Sequence, residues 1–568
     1  MHRKNQIFKI VLFILVITAY NVFCQESEKD KMKNELTNFI KNFEAEIIPA
    51  FRNANLADFN ASISGKSEDY QKAASLEVKL TKIYSNKEYF AKLKKIKDSG
   101  LITEEPLKRE LDVLYNSFLG AQTDEKELEE IIKLQSEIEN KFSTFRAEVN
   151  GKKLTDNEIE DILKSSTDTK ELKNSWLASK KIANVVSKDV IKLIKMRNKA
   201  AKELGFNNFH EMSLKLSEQD PKQIETLFDE LDNLTRNTFI AVKKDMDAFL
   251  AARYKIPAGD LMPWHYQNRF FQEAPKIYNI DLDDYYKDKD LVELTKKYYS
   301  GIGLPINDLV SRSDLFEKEG KYQHAYSSDI DKFGDIRVVC NVKPNSSWMG
   351  TLLHEFGHSA YDKNIDSTLP WSLRDPAHTF TTEAIAMLFG RFSSNAQWMK
   401  DMLGISKEEQ IKIKDESFKS LRLEQLVFSR WVQVVYRFEK SMYDNPDQDL
   451  NKLWWDLVEK YQMIKRPENR NEPDWASKIH ISSYPCYYHN YMLGELLASQ
   501  LYYHISEKIL KNTNGELQSF AGRTEVGAYL RKNVFAPGAR YFWNDMIEKA
   551  TGEKLTPKYY ARQFVDEK

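Results

Sequence analysis

From Glu26 to about Met246, apolar residues recur at three- and four-residue intervals, and charged residues fill the gaps. NELTNFIKNFEAEIIPAFRNA, KELEEIIKLQSEIENKFSTFRAEV and VVSKDVIKLIKMRNKAAKELG each place one apolar stripe on a helix and leave charges spaced for i,i+4 pairs facing solvent. The pattern predicts amphipathic scaffold helices, broken near Asn60–Gly65, Ser99-Gly100, Asn150-Gly151 and Asp220-Pro221. Between residues 250 and 320 the periodicity loosens: IPAGDLMPWHYQNRFFQEAP mixes prolines with aromatics and His265 and reads as an irregular, partly buried connection. YQHAYSSDIDKFGDIRVVCNV then shows strand character. A turn at Lys332–Asp335 separates two β-prone runs, the second with Ile336, Val338, Val339 and Val342, so a small hairpin is expected. An exposed edge on it suits an extended peptide. From Ser406 onward the helical pattern resumes, rich in Trp and Tyr. The exception is KIHISSYPCYYHNYMLGELLASQL, where His480, Tyr484, Tyr487, Tyr488, His489 and Tyr491 crowd before a helix, as a packing cluster or as a polar site.

Composition narrows the class. A chain of 568 residues, 42% hydrophobic and 30% charged, can bury a large core. Glycine (20) and proline (16) are sparse, which favours long helices and an all-α fold. Basic and acidic residues number 84 and 85, so no basic excess exists to neutralise a phosphate backbone, and nucleic acid is not an expected partner. At the N-terminus His2, Arg3, Lys4 and Lys9 lead into an apolar run, Ile10 to Phe23, and then a polar segment. Residues 1–24 read as an export signal, too short for a comfortable membrane span, with an uncleaved anchor as the alternative. No other stretch is long and apolar enough to cross a bilayer, so no stable span is expected. Cys340 and Cys486 either form one disulfide or are buried apolar residues.

The chemistry centres on TLLHEFGHSAYDK and TFTTEAIAMLFGR. His354, Glu355 and His358 form H-E-x-x-H; on a helix, residues four apart lie on one face, so both imidazoles can hold one metal ion while Glu355 reaches its water. Imidazole and carboxylate donors suit zinc, whose catalytic sites use three protein ligands and keep one position open. Glu383, in the next apolar helix-like segment, is the best-placed third ligand, and Glu355 is the expected general base.

These motifs resemble the angiotensin-converting-enzyme-like peptidyl-dipeptidases, zinc peptidases of the gluzincin type, with some features of the thimet-oligopeptidase-like family. HAYSSDIDKFGDIRVVCN, LPWSLRDPAHTFTTEAIAMLFGR, and WWDLVEKYQ followed by DWASKIHISSYP carry the first likeness; TLLHEFGH reads more like the thimet-type phrase. The resemblance implies an almost wholly helical, two-lobed ellipsoid around a deep channel. It implies a single catalytic domain over residues 25–568, with a helical lid or lobe over about 25–250 and the zinc-binding and cleft-wall part over about 251–568. It assigns zinc to His354, His358 and Glu383 and the general base to Glu355. His480 and Tyr491 would stabilise the tetrahedral intermediate. Lys478 and Tyr488 would bind the free C-terminal carboxylate of a peptide substrate, with Gln267 as the glutamine that joins them, and His324 with Ala325 would grip the peptide backbone.

Three positions depart from the family pattern. Met387 stands where an acidic residue orients a zinc histidine, and Asn490 and Val458 replace two chloride-binding arginines. The expected protein is an exported zinc peptidase that removes C-terminal dipeptides. An endo-acting thimet-type oligopeptidase and a peptide-binding homologue without catalysis are the competing readings.

Overall fold

The computed structural model describes residues 2–278, 280–512 and 518–565, with side chains from residue 27 onward. The side chains of the expected export segment, residues 1–24, therefore lie outside the described residues. The chain opens with α1 (His2–Ser64), α2 (Ser67–Tyr84), α3 (Lys87–Ser99) and α4 (Leu107–Gly120). α1 and α3 stop where the sequence predicts, because Gly65 and Gly100 both take φ +65°, a conformation that side chains resist. The apolar stripes of these four helices close on one another in a cluster running from Met32 to Phe118, which also takes in Trp371 and is separate from the main core.

After α5 (Glu125–Thr144) comes a hairpin that the periodicity does not announce: β1 (Ala147–Val149) pairs antiparallel with β2 (Lys152–Leu154). The Asn150-Gly151 break is its turn. Both residues have positive φ, 51° and 78°, which matches strand twist and folds the chain back on itself. Then follow α6 (Asp156–Ser165), α7 (Thr169–Glu203), α8 (Phe209–Leu216) and α9 (Pro221–Tyr254). Asp220 caps α9 by accepting from the Gln223 N–H at 2.8 Å, with Pro221 in the first turn. Residues 255–290 hold short 3-10 turns, as the loosened pattern implies, but α10 (Leu291–Gly301) and α11 (Asn307–Arg312) occupy much of the remainder.

The second hairpin lies where the β-branched residues predict. β3 (Tyr326–Asp329) and β4 (Ile336–Val339) run antiparallel with Tyr326 opposite Val339 and Asp329 opposite Ile336. Asp314 covers the other edge of β4, its N–H donating to the Val338 carbonyl at 2.9 Å. The chain continues through α12 (Ser346–Lys363), α13 (Thr379–Gly390), α14 (Ala396–Leu403), α15 (Lys407–Asp444), α16 (Leu450–Leu457), α17 (His480–Ser483) and α18 (His489–His504). The main core is one apolar cluster reaching from Ile131 to Phe564. The fold is all-α with two small antiparallel strand pairs among the described residues. Cys340 and Cys486 are both free and buried, so the disulfide alternative does not hold. Among the described residues no helix is long and apolar enough to cross a membrane.

Candidate active site

α12 is apolar on the side that faces the core, with Met349, Leu352, Leu353, Phe356 and Ala360 fully buried. Its cap is Asn345, whose side chain accepts from the Trp348 N–H at 2.8 Å. The 3.6-residue period then brings His354 and His358 one above the other, with Nε2 atoms 3.3 Å apart and ring centroids 4.9 Å apart. α13 packs directly against this helix, and the reason is Gly357. A Cβ at that position would lie 2.9 Å from the Cα of Ala386. On the far side of α13, Gly494 of α18 leaves room for Met387 and Glu383 in the same way, since a Cβ there would meet the Met387 sulfur at 3.1 Å and Glu383 Cβ at 3.2 Å. Held between the two contacts, Glu383 places Oε2 3.7 Å from His354 Nε2 and 3.8 Å from His358 Nε2. One donor atom from each of the three residues lies within 4.8 Å of the others.

Burial makes this array electrostatically incomplete by itself. It lowers His354 to about 4 and pushes His358 well below the usual range, with His354 adding to the second shift. Burial raises Glu383 to about 7, helped by Glu495. Glu355 is raised to about 8, first by burial and then by the Glu383 charge, with the Ser327 backbone N–H acting the other way. Two neutral imidazoles and two carboxyls reluctant to ionise are what a buried divalent cation reverses, since it needs neutral histidine and stabilises carboxylate. Residue types and spacing both fit zinc. His358 Nδ1 meets the Thr382 hydroxyl at 2.8 Å, the kind of partner that sets a ligand ring's orientation. Met387 offers only a thioether to the same cavity, a weak acceptor.

The cavity above these residues, about 690 Å³, is also lined by Ala325, Ser327, Thr382, Tyr491 and, from α1, Phe51. Tyr491 is the inner end of a contiguous set of rings. Its centroid is 5.4 Å from Tyr488, which is 5.1 Å from His480 and lies under Lys478 Nζ at 5.4 Å. Burial raises Tyr491, so its hydroxyl keeps its proton. Burial, and then the charge of Lys478, lowers His480 to about 3, so its ring is neutral, and its buried Nδ1 has no partner among the described residues. Lys478 is itself lowered to about 7 by burial and then by Arg269.

Two residues expected at the site stand elsewhere. His324 is exposed, 5.4 Å from the Tyr322 ring, while its neighbour Ala325 faces the cavity. Gln267 is buried at a positive φ of 60°, lines a different cavity, and accepts from the Lys276 N–H at 3.1 Å. The glutamine that touches Lys478 is Gln272, whose Oε1 accepts from Nζ at 2.5 Å. Periodicity gives no register in that irregular stretch, so nothing in the sequence separates the two. Asn490 sits in a buried network with Gln219, accepting from Nε2 at 2.8 Å, and Val458 is buried.

A family model described as angiotensin-converting enzyme matches residues 30–559 of this chain. Among similar proteins, the angiotensin-converting enzyme of Theromyzon tessulatum is 23% identical over 90% of this chain and 87% of its own length. The angiotensin-converting enzyme of Haematobia irritans exigua is 22% identical over 72% of each. Carboxypeptidase 1 of Bacillus subtilis (strain 168) is 24% identical over 42% of this chain and 50% of its own.

Proposed function

The chain belongs to the angiotensin-converting-enzyme family of metallopeptidases, and from that premise we propose that it is a zinc-dependent peptidase that releases dipeptides from the free carboxyl end of peptides. The observation that carries the reading is the convergence of His354, His358 and Glu383 on one point, within 4.8 Å of one another, beside the carboxyl of Glu355. Those three side chains would hold the ion, which when bound supplies a Lewis acid for the scissile carbonyl and lowers the pKa of a water towards about 7.

The remaining steps belong to the protein's own side chains. Glu355 takes the proton of the attacking water at its carboxylate and passes it to the leaving nitrogen. Buried on the cavity wall beside the three donors, it is placed for both halves of that transfer. The Tyr491 hydroxyl and the neutral ring of His480 are donors for the carbonyl oxygen as charge develops there, an effect worth about 3 kcal/mol per donor in comparable sites. Lys478, with Gln272 and Tyr488, binds the terminal carboxylate, and that anchor fixes the cut a set distance from the end. Ala325, leading into β3, holds the peptide backbone. The basic and then apolar N-terminal segment supports export of the protein.

Family membership does not favour the thimet-type or the non-catalytic reading. One decapeptide as free acid and as C-terminal amide, incubated with and without a chelator and followed by mass spectrometry, tests the proposal. The free acid is expected to shorten two residues at a time, the amide to react far more slowly, and the chelator to stop both. Equal internal cutting of both peptides would replace this reading with an endopeptidase. Bound zinc without any cleavage would leave a peptide-binding protein.

A further inference from the structure

The cavity has a second chemical face. Away from the two histidines its wall contains Asp329 at the end of β3, Lys332 in the hairpin turn, Asp362 on α12, and Arg374 with Asp375 before α13. Most of these charges already have partners. Lys332 Nζ pairs with Asp375 and lies over the rings of Trp371 (4.5 Å) and Phe51 (5.2 Å). Arg374 donates from Nε to the Leu369 carbonyl at 2.9 Å and covers the Phe333 ring at 4.7 Å. Asp329 accepts the N–H groups of Asp331 at 3.2 Å and Lys332 at 2.8 Å. Asp362, one turn beyond His358, is the exception. Its carboxylate has no hydrogen bond or ion pair among the described residues, and it is half-buried on the cavity wall, where a ligand in the cavity can reach it. Desolvation by its surroundings, and then the charges of Asp329 and Asp375, hold its carboxyl well above the usual carboxylate range, and Lys332 offsets them only in part. A carboxylate so placed lacks a counter-charge, and a cation brought by a ligand supplies one.

We propose that this face is a specificity subsite for a cationic side chain, arginine or lysine, on the part of the peptide N-terminal to the cut, with Asp362 as its ion-pair partner. The inference rests on the peptidase reading above for the direction of the chain. Lys478, assigned to the terminal carboxylate, is not in this wall, so the segment lying along it is the upstream one. Asp329 and Asp375 add negative potential around the pairing point, and Phe51 gives the cation's stem or planar head an aromatic face.

The test uses N-acetylated, free-acid hexapeptides that differ only in carrying arginine or its neutral isostere citrulline at one of the two positions before the cut. The zinc-loaded full-length protein is expected to favour arginine in kcat/KM by about tenfold or more at one of them, the scale of a charge-assisted hydrogen bond. Asp362→Asn should bring that ratio close to one, and Asp362→Glu should keep it. Equal rates for the wild-type protein at both positions, or an undiminished preference in Asp362→Asn, overturns the subsite. Fluorescence anisotropy of the same peptides on zinc-loaded Glu355→Gln separates this result from a failure of the peptidase reading. Tighter binding of the arginine peptide without turnover by the wild-type protein would sink the peptidase and leave the subsite, whereas equal binding of the two peptides would remove the subsite.

Discussion

Lys478 stands among the rings of Phe270, Trp431 and Tyr488, at 5.4, 5.5 and 5.4 Å from their centroids. That enclosure brings its pKa down to about 7, and a pH dependence follows. Below about pH 7 the free enzyme holds the charged form that a carboxylate needs; above it, binding must first restore the proton, so affinity falls with rising pH. KM for a free-acid peptide is therefore expected to climb between about pH 6 and about pH 9, while that for the amide stays level. Steady-state kinetics on the two peptides decides it, and parallel profiles would take Lys478 out of the carboxylate site. Individual residues were legible in the sequence only where a motif names them. His354, Glu355 and His358 come from one phrase, and Glu383 from the next apolar helix. Gln272 and Thr382 do not, because an amide in an irregular loop and a hydroxyl beside the His358 ring carry no periodic signal. Asp362 is hidden for a related reason, since on a helical wheel it reads as one more charged position and only the folded cavity wall shows that it has no partner.

At the scale of elements, the distance between α12 and α13 decides whether three donors become one site. Gly357 sets that distance. By helix propensity alone Gly357→Ala should stabilise α12 by about 0.5–1 kcal/mol. The backbone of Ala386, 2.9 Å from the new Cβ, argues the opposite, because neither helix backbone yields as a flexible side chain would. Overpacking is expected to outweigh propensity, lowering stability by about 1–3 kcal/mol. The same displacement should move Glu383 away from the histidine pair and weaken zinc binding. Thermal unfolding of the metal-free protein and competition with a chelator measure the two effects, and a variant with higher Tm and unchanged zinc affinity would show that Gly357 does not set the spacing. The β1–β2 hairpin shows how local chemistry within an element can outrun periodicity: three-residue strands are too short to display alternation, and only the Asn-Gly pair betrays them.

For the molecule as a whole, the separate cluster of α1–α4 matters most, since α1 also supplies Phe51 to the cavity wall. Arg109 of α4 ties this cluster to the body: both Nη atoms pair with the Glu218 carboxylate, and Nε donates to the Ala539 carbonyl at 2.8 Å. Arg109→Met leaves Glu218 and the carbonyl without these donors and should ease local opening of α1–α4 by about 1–3 kcal/mol. Hydrogen exchange should then accelerate in α1–α4 and stay slow in α12 and α13, while a uniform acceleration would mean that the chain opens as one unit. The sequence by itself determined the helical class, the helix breaks at Gly65, Gly100 and Asp220, the β3–β4 hairpin and the three donors that converge at the site, because periodicity, turn and capping residues and a four-residue spacing are local and survive without any tertiary context. Only the tertiary structure decided which glutamine meets Lys478, that Cys340 and Cys486 stay apart, and which carboxylate in the cavity is left unpaired. Each of these depends on contacts between segments far apart in the chain, and no local pattern encodes the distance between them.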